Sequence, residues 1–205
     1  MNKFLILVGL IASTNVFAQA DKFSGLSVGF NTGFNSNTAE YDSNTSTSST
    51  TIQVGSNNTP LNTNISYIFP LSQNATFGIG VNYDLTNTNF TDLSTSNGIT
   101  LTSTLKDHYS INFEPGYVFN ESTLGYFKVS YASAKIAVNN SSTKASKSSS
   151  GYGFGFGTRY LLDKNLFLNM EIYQEKLSKI TATLSNNISF EPTILSATVG
   201  VGYKF

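Results

Sequence analysis

On an extended chain, residues two positions apart point to the same face, so the stretch "HYS" sets His108 and Ser110 side by side as a base and a hydroxyl. With a carboxylate from Glu114 or Asp84 as third member, these would form a nucleophile of the Ser–His–acid kind, suited to acyl transfer. His108 is the only histidine, and the chain has no cysteine. Thiolate chemistry, disulfides and thiolate metal sites are therefore excluded, and no metal or cofactor is predicted. The stretch "GYGFGFG" at Gly151 to Gly157 is not a phosphate loop, because its glycines recur at every second residue of an extended segment and precede no helix. Charged residues make up 12% of the chain and the formal net charge is zero, which gives no electrostatic basis for binding nucleic acid.

What must position these residues is a set of period-2 stretches; no helical period of any length occurs between them. The first runs from Leu26 to Phe34, the second from Leu61 to Phe69, the third from Phe77 to Leu85 and the fourth from Tyr109 to Phe119. The fifth carries Phe127, Val129 and Tyr131, the sixth is "GYGFGFGTRY", the seventh covers Leu166 to Tyr173 and the eighth Leu195 to Phe205. Short links at Pro70 to Asn74, Asn120 to Ser122 and up to Asn165 alternate with long Ser/Thr/Asn-rich ones at Asn35–Thr59, Thr86–Thr104, Ile136–Ser150 and Gln174–Thr193. This alternation predicts an all-β fold, an eight-stranded antiparallel up-and-down transmembrane β-barrel with turns at one end and four polar, solvated loops at the other.

The composition of the two faces decides which is outside. A soluble barrel would cover its exterior with Lys and Glu, whereas the polar face here is mostly Gly, Ser and Asn. Small polar side chains suit the crowded lumen of eight strands, and the nearly uncharged Phe, Tyr, Val, Ile and Leu face suits lipid. Tyr67, Phe69, Tyr117, Phe119, Tyr160 and Tyr203 gather near strand ends as an interfacial girdle would. That orientation turns Asp84, Glu114, Lys128, Arg159, Glu171 and Lys204 inward. Glu114, Lys128, Arg159 and Glu171, two acids and two bases, lie on four successive strands, which predicts a paired lumenal network that either gates the barrel or satisfies itself. His108 and Ser110 also point inward, away from any lipid substrate.

At the N-terminus, Lys3, the apolar run from Phe4 to Ala12 and the small residues ending at Ala18 read as a secretory signal peptide over residues 1–18, leaving 19–205 as the barrel domain. The signal peptide, the eight strands, "GYGFGFGTRYLLDKNLFLNMEIYQ" and the final "GYKF" together resemble the small porin-like outer-membrane β-barrel family of Gram-negative bacteria, with its OmpA-type and OmpX-type members. The resemblance covers the mature chain. It implies localisation in the cell outer membrane, outer-membrane lipid as surroundings, and a C-terminal strand read by the barrel assembly machinery through Val199, Val201, Tyr203 and Phe205. It also implies a structural or surface-interaction role through the extracellular loops, with a narrow channel for ions or small solutes as the alternative. The H-x-S spacing is similar to that of outer-membrane lipid A esterases, but the sequence around it is not, and the chain is not expected to be an enzyme.

Overall fold

The computed structural model describes residues 19–45, 48–94, 100–140, 143–183 and 187–205; the predicted signal peptide, residues 1–18, lies outside them. A 3-10 turn, Ala20–Phe23, is followed by β1 (Gly25–Thr45), β2 (Ser48–Asn58), β3 (Leu61–Pro70), β4 (Ala75–Asp84), β5 (Thr88–Ser94) and β6 (Thr100–Asn120). Then come β7 (Thr123–Asn140), β8 (Thr143–Leu161), β9 (Leu166–Leu177), β10 (Ile180–Thr183) and β11 (Asn187–Lys204). Eight of these strands, β1, β3, β4, β6, β7, β8, β9 and β11, form an antiparallel ring that closes where β11 pairs with β1 from Ser27↔Lys204 to Asn44↔Asn187. Closure leaves no strand edge in the membrane-spanning part of the ring, the condition for crossing a hydrocarbon layer with strands.

The wall of the ring is apolar outside and polar inside. On β8, Tyr152, Phe154, Phe156 and Tyr160 project outward while Gly151, Gly153 and Gly155 are buried. Aromatic pairs mark one rim, with ring centroids 4.6 Å apart for Tyr67–Phe69, 5.4 Å for Tyr117–Phe119 and 5.2 Å for Tyr203–Phe205. The other rim carries Tyr83, Tyr109, Tyr131 and Tyr152, the last two 5.5 Å apart. The stretch from Tyr152 to Tyr160 measures roughly 26 Å along the strand and, at a tilt of about 40°, roughly 20 Å along the membrane normal, close to the height of the apolar band of an outer-membrane barrel.

The long polar connections differ from the sequence expectation. Their described residues continue as strand: β1 and β6 each run for 21 residues, about twice the 9–11 needed to cross a bilayer. Beyond the Tyr rim the polarity of the strands inverts. On β7, Phe127, Val129 and Tyr131 face outward lower down, but above them Ala134, Ile136 and Val138 are buried and Lys135 is exposed. The strand keeps its phase while the solvent outside changes from lipid to water. Turn-like composition concealed this, because Ser, Thr and Asn are favoured in loops and also serve as the water-facing half of a strand.

In this outer half the ring divides into two four-stranded sheets. β10, β11, β1 and β2 form one; β5, β6 and the upper parts of β7 and β8 form the other. They pack face to face over Ala39, Val54, Ile180, Phe190 and Ile194 from the first sheet, and Phe90, Leu105, Ala134, Ile136 and Val138 from the second. Phe90 meets Phe190 edge to face at 5.2 Å. One seam between the sheets is sewn by Asn58, whose amide donates to the carbonyl of Asn89 at 2.8 Å and accepts from its N–H at 2.9 Å.

Candidate functional site

The inward-facing side chains meet in one enclosed polar chamber of about 50 Å³. The glycines of β8 make room for it. A Cβ on Gly153 would overlap the hydroxyl of Tyr173, and one on Gly157 would overlap that of Tyr126. The alternation that excludes a phosphate loop is thus a groove that receives two tyrosines from the neighbouring strands.

Arg159 on β8 and Glu114 on β6 pair with Nη2 2.7 Å from Oε2, both side chains buried. The guanidinium also lies 5.1 Å from the Tyr126 ring centre and 5.7 Å from that of Phe167. Lys128 on β7 and Glu171 on β9 pair at 2.8 Å, with the ammonium 5.0 Å from the Tyr173 ring centre. Tyr126 O–H shares its proton between Asn169 Oδ1 at 2.9 Å and Glu171 Oε2 at 3.0 Å. Each of these buried charges therefore has an opposite charge, and Arg159, Lys128 and Glu171 have a ring face or hydroxyl as well, as a low-dielectric site favours. Lys204 is not part of this group: its Nζ donates to the backbone carbonyl of Lys22 at 2.6 Å.

His108 is placed by a bulge. The β6–β7 register shifts between Lys106 and Tyr109, and Asp107 there has φ 49, a left-handed backbone that aspartate tolerates. The extra residue turns Lys106 and Asp107 out to water and His108 in. Its Nδ1 lies 2.8 Å from Asp84 Oδ2 and its Nε2 3.0 Å from Glu175 Oε1, tying β4, β6 and β9 together across the lumen. Glu175 also accepts from Tyr173 O–H at 2.8 Å, and that hydroxyl contacts Ser130 Oγ. Ser110 Oγ donates instead to Asn112 Oδ1 at 3.0 Å. Both nitrogens of the imidazole are thus occupied by carboxylates, and the hydroxyl predicted as its nucleophile is turned elsewhere. Among the described residues no group of three or more His, Asp or Glu is arranged to hold a metal.

Sequence reasoning missed Glu175, Tyr126 and Tyr173 as partners. Ending the seventh strand at Tyr173 put Glu175 in a loop, although Glu171, Tyr173 and Glu175 share one face at period two.

Both ends of the chamber are apolar. Toward the short turns, Phe23 of the 3-10 turn packs with Ala20, Ile68, Val118, Leu124 and Leu161. The turn is held by Ala20 N–H donating to Gln73 O at 3.1 Å and by Lys22 Nζ, 2.9 Å from Glu121 Oε2. That ammonium holds the exposed Glu121 carboxyl below the usual carboxylate range. Water screens the pair, so the apolar contacts carry the closure. Toward the extracellular side the chamber ends at the sandwich core, where Leu105 and Leu177 are buried above His108. At the barrel's closing seam, Val199, Val201, Tyr203 and Phe205 project outward, and Phe205 N–H donates to Leu26 O at 2.9 Å.

The family model for the outer membrane protein beta-barrel domain matches residues 4–205. Among solved structures, the chain is similar to the outer membrane protease OmpT of Escherichia coli, at 9% identity and a TM-score of 0.54 over 88% of this chain and 97% of that one. It is also similar to Ail, the attachment invasion locus protein of Yersinia pestis, at 15% identity and a TM-score of 0.49 over 89% of this chain and 99% of that one. OprG of Pseudomonas aeruginosa aligns at 14% identity and a TM-score of 0.42 over 89% of this chain and 97% of that one. At such identities the likeness is one of fold. No curated protein sequence matches.

Proposed function

Because the chain belongs to the outer membrane protein beta-barrel domain family and its place is the cell outer membrane, we propose that it is a non-conducting membrane anchor whose activity is carried by the extracellular sandwich. The observation that supports this most is the double closure of the lumen, by Phe23, Ile68, Val118 and Leu124 at one end and by Phe90, Leu105, Leu177 and Phe190 at the other. Between them, Arg159–Glu114 and Lys128–Glu171 reach across the polar section. An ion crossing this path would have to separate buried pairs and then enter two apolar layers, each step costing several kcal/mol. In this reading the lumenal charges satisfy one another and do not gate. Planar bilayers containing the refolded protein should show no unitary conductance at 100 mV; reproducible current steps would establish the channel reading instead. With His108 bound to two carboxylates, the reading is also non-enzymatic.

The same reading gives Val199, Val201, Tyr203 and Phe205 to the barrel assembly machinery as a recognition strand. The Phe205 side chain is 70% exposed, so its loss removes little packing. Phe205→Ala should therefore lower the amount of assembled, heat-modifiable barrel in cells several-fold while unaided refolding into detergent is unchanged. Equal loss in both assays would reduce the residue to a structural role.

A further inference from the structure

The lumenal chamber has two unlike walls. On the side of β6 to β9 the charged and phenolic groups bond to one another. On the side of β1, β3, β4 and β11 the lining is uncharged: Asn35, Asn64, Asn82, Ser196 and Thr198. None of these side chains hydrogen-bonds to a described residue. Asn35 is the most informative, because it is 6% exposed and its Oδ1 is buried without a partner. Ser196 stands directly opposite it on β11. Asn82 stands opposite Asn64, and the next inward residue up β4 is Asp84. A buried amide left unmatched is costly, so this wall is shaped for something that its oxygens can bind.

Charge in the chamber points the same way. The pairs Arg159–Glu114 and Lys128–Glu171 are each neutral. His108 is tied to two carboxylates, Asp84 and Glu175. Each of those two bonds needs one proton, so the group of three carries one net negative charge wherever the protons reside. The chamber as a whole is therefore left with that one charge, beside Asp84 and the uncharged wall. Water alone would satisfy the Asn35 amide but leave the charge buried. A divalent cation would overshoot the charge, and on this wall it would find no carboxylate but Asp84, already held by His108. A monovalent cation answers both, with neutral oxygens replacing its hydration shell.

We propose that Asn35, Asn64, Asn82, Ser196 and Thr198, beside Asp84, form a binding site for one alkali cation of the Na⁺ or K⁺ kind. Its ligands are chiefly amide and hydroxyl oxygens, so no cluster of His, Asp and Glu marks it. The chamber, about 50 Å³, admits the ion with one or two waters, each water needing about 10–15 Å³. Apolar layers close both ends, so the ion enters as the barrel closes in folding and becomes part of the structure. The site is separate from the surface role of the sandwich. A conducting barrel would refute the anchor reading alone, and folding indifferent to the cation would refute the site alone.

The test unfolds the mature protein in urea and refolds it in an uncharged detergent, with NaCl or KCl replacing choline chloride at constant ionic strength. Choline carries the same charge but is too large for the chamber. At a fixed urea concentration the folded-to-unfolded ratio should rise at least about tenfold between about 1 and 100 mM alkali cation. Asn35→Leu should abolish that rise. Asn35→Asp, which keeps the shape and adds a charge, should move the rise to at least about tenfold lower concentration. Equal ratios in NaCl, KCl and choline chloride would leave the chamber to water and overturn the proposal. An undiminished rise in Asn35→Leu would put the cation elsewhere and overturn the assignment. The salt comparison on the unaltered protein needs no variant to fold.

Discussion

Replacing Arg159 with Met should destabilise the barrel by about 3–5 kcal/mol, the cost of leaving one member of a buried ion pair without its partner. Arg159 and Glu114 are both buried, at 3% and 6% exposure, and Nη2 lies 2.7 Å from Oε2. Methionine keeps much of the volume and the contact with Tyr126 and Phe167, so the loss would report charge more than packing. The decisive comparison adds Glu114→Gln. If the penalty comes from a stranded carboxylate, the double variant should regain most of the stability lost by the single one. Equilibrium denaturant unfolding in detergent micelles measures all the terms. A double variant as unstable as the sum of the two singles would mean that the pair acts through shape and that the charges are not coupled.

The transmembrane half was legible because two signals coincided there. Period two fixed the strands, and the avoidance of charge on one face fixed which way they turn, so Glu114, Lys128, Arg159 and Glu171 could be placed inward from spacing alone. Which cation meets which anion was not legible. Adjacent strands suggested neighbouring pairs, whereas Arg159 on β8 reaches Glu114 on β6, and Lys128 on β7 reaches Glu171 on β9, each passing over an intervening strand. In a narrow lumen, long side chains can cross the interior, and reach across the bore is a property of the closed barrel that no single strand carries. The extracellular half hid itself differently. In "FKVSYASAKIAVNN" the apolar positions shift from Phe127, Val129 and Tyr131 to Ala134, Ile136 and Val138. A change of phase reads as the end of a strand when the surroundings are taken to be uniform. It reads as a strand leaving lipid for water once the surroundings are allowed to change.

That inversion gives the outer half a core of its own, and Phe90 is its most informative member. Phe90 is fully buried and packs edge to face on Phe190, each ring coming from a different sheet of the sandwich. Phe90→Ala should cost about 3–5 kcal/mol by loss of burial and creation of a cavity. The loss should be local. Below the Tyr rim the ring is held by its own closed ladders and by the ion pairs, none of which involves Phe90, and a stretch whose contacts are self-contained can survive the opening of its neighbour. The expected result is fast amide exchange and protease cleavage in β2, β5 and β10, the strands that pair on one side only, with the heat-modifiable band of the transmembrane barrel retained. Slow exchange throughout would deny the sandwich any dependence on the Phe90 contact. Loss of the heat-modifiable band would make the two halves one cooperative unit, and the tie of His108 to Asp84 and Glu175, directly beneath Leu105 and Leu177, would then be the connection to remove next.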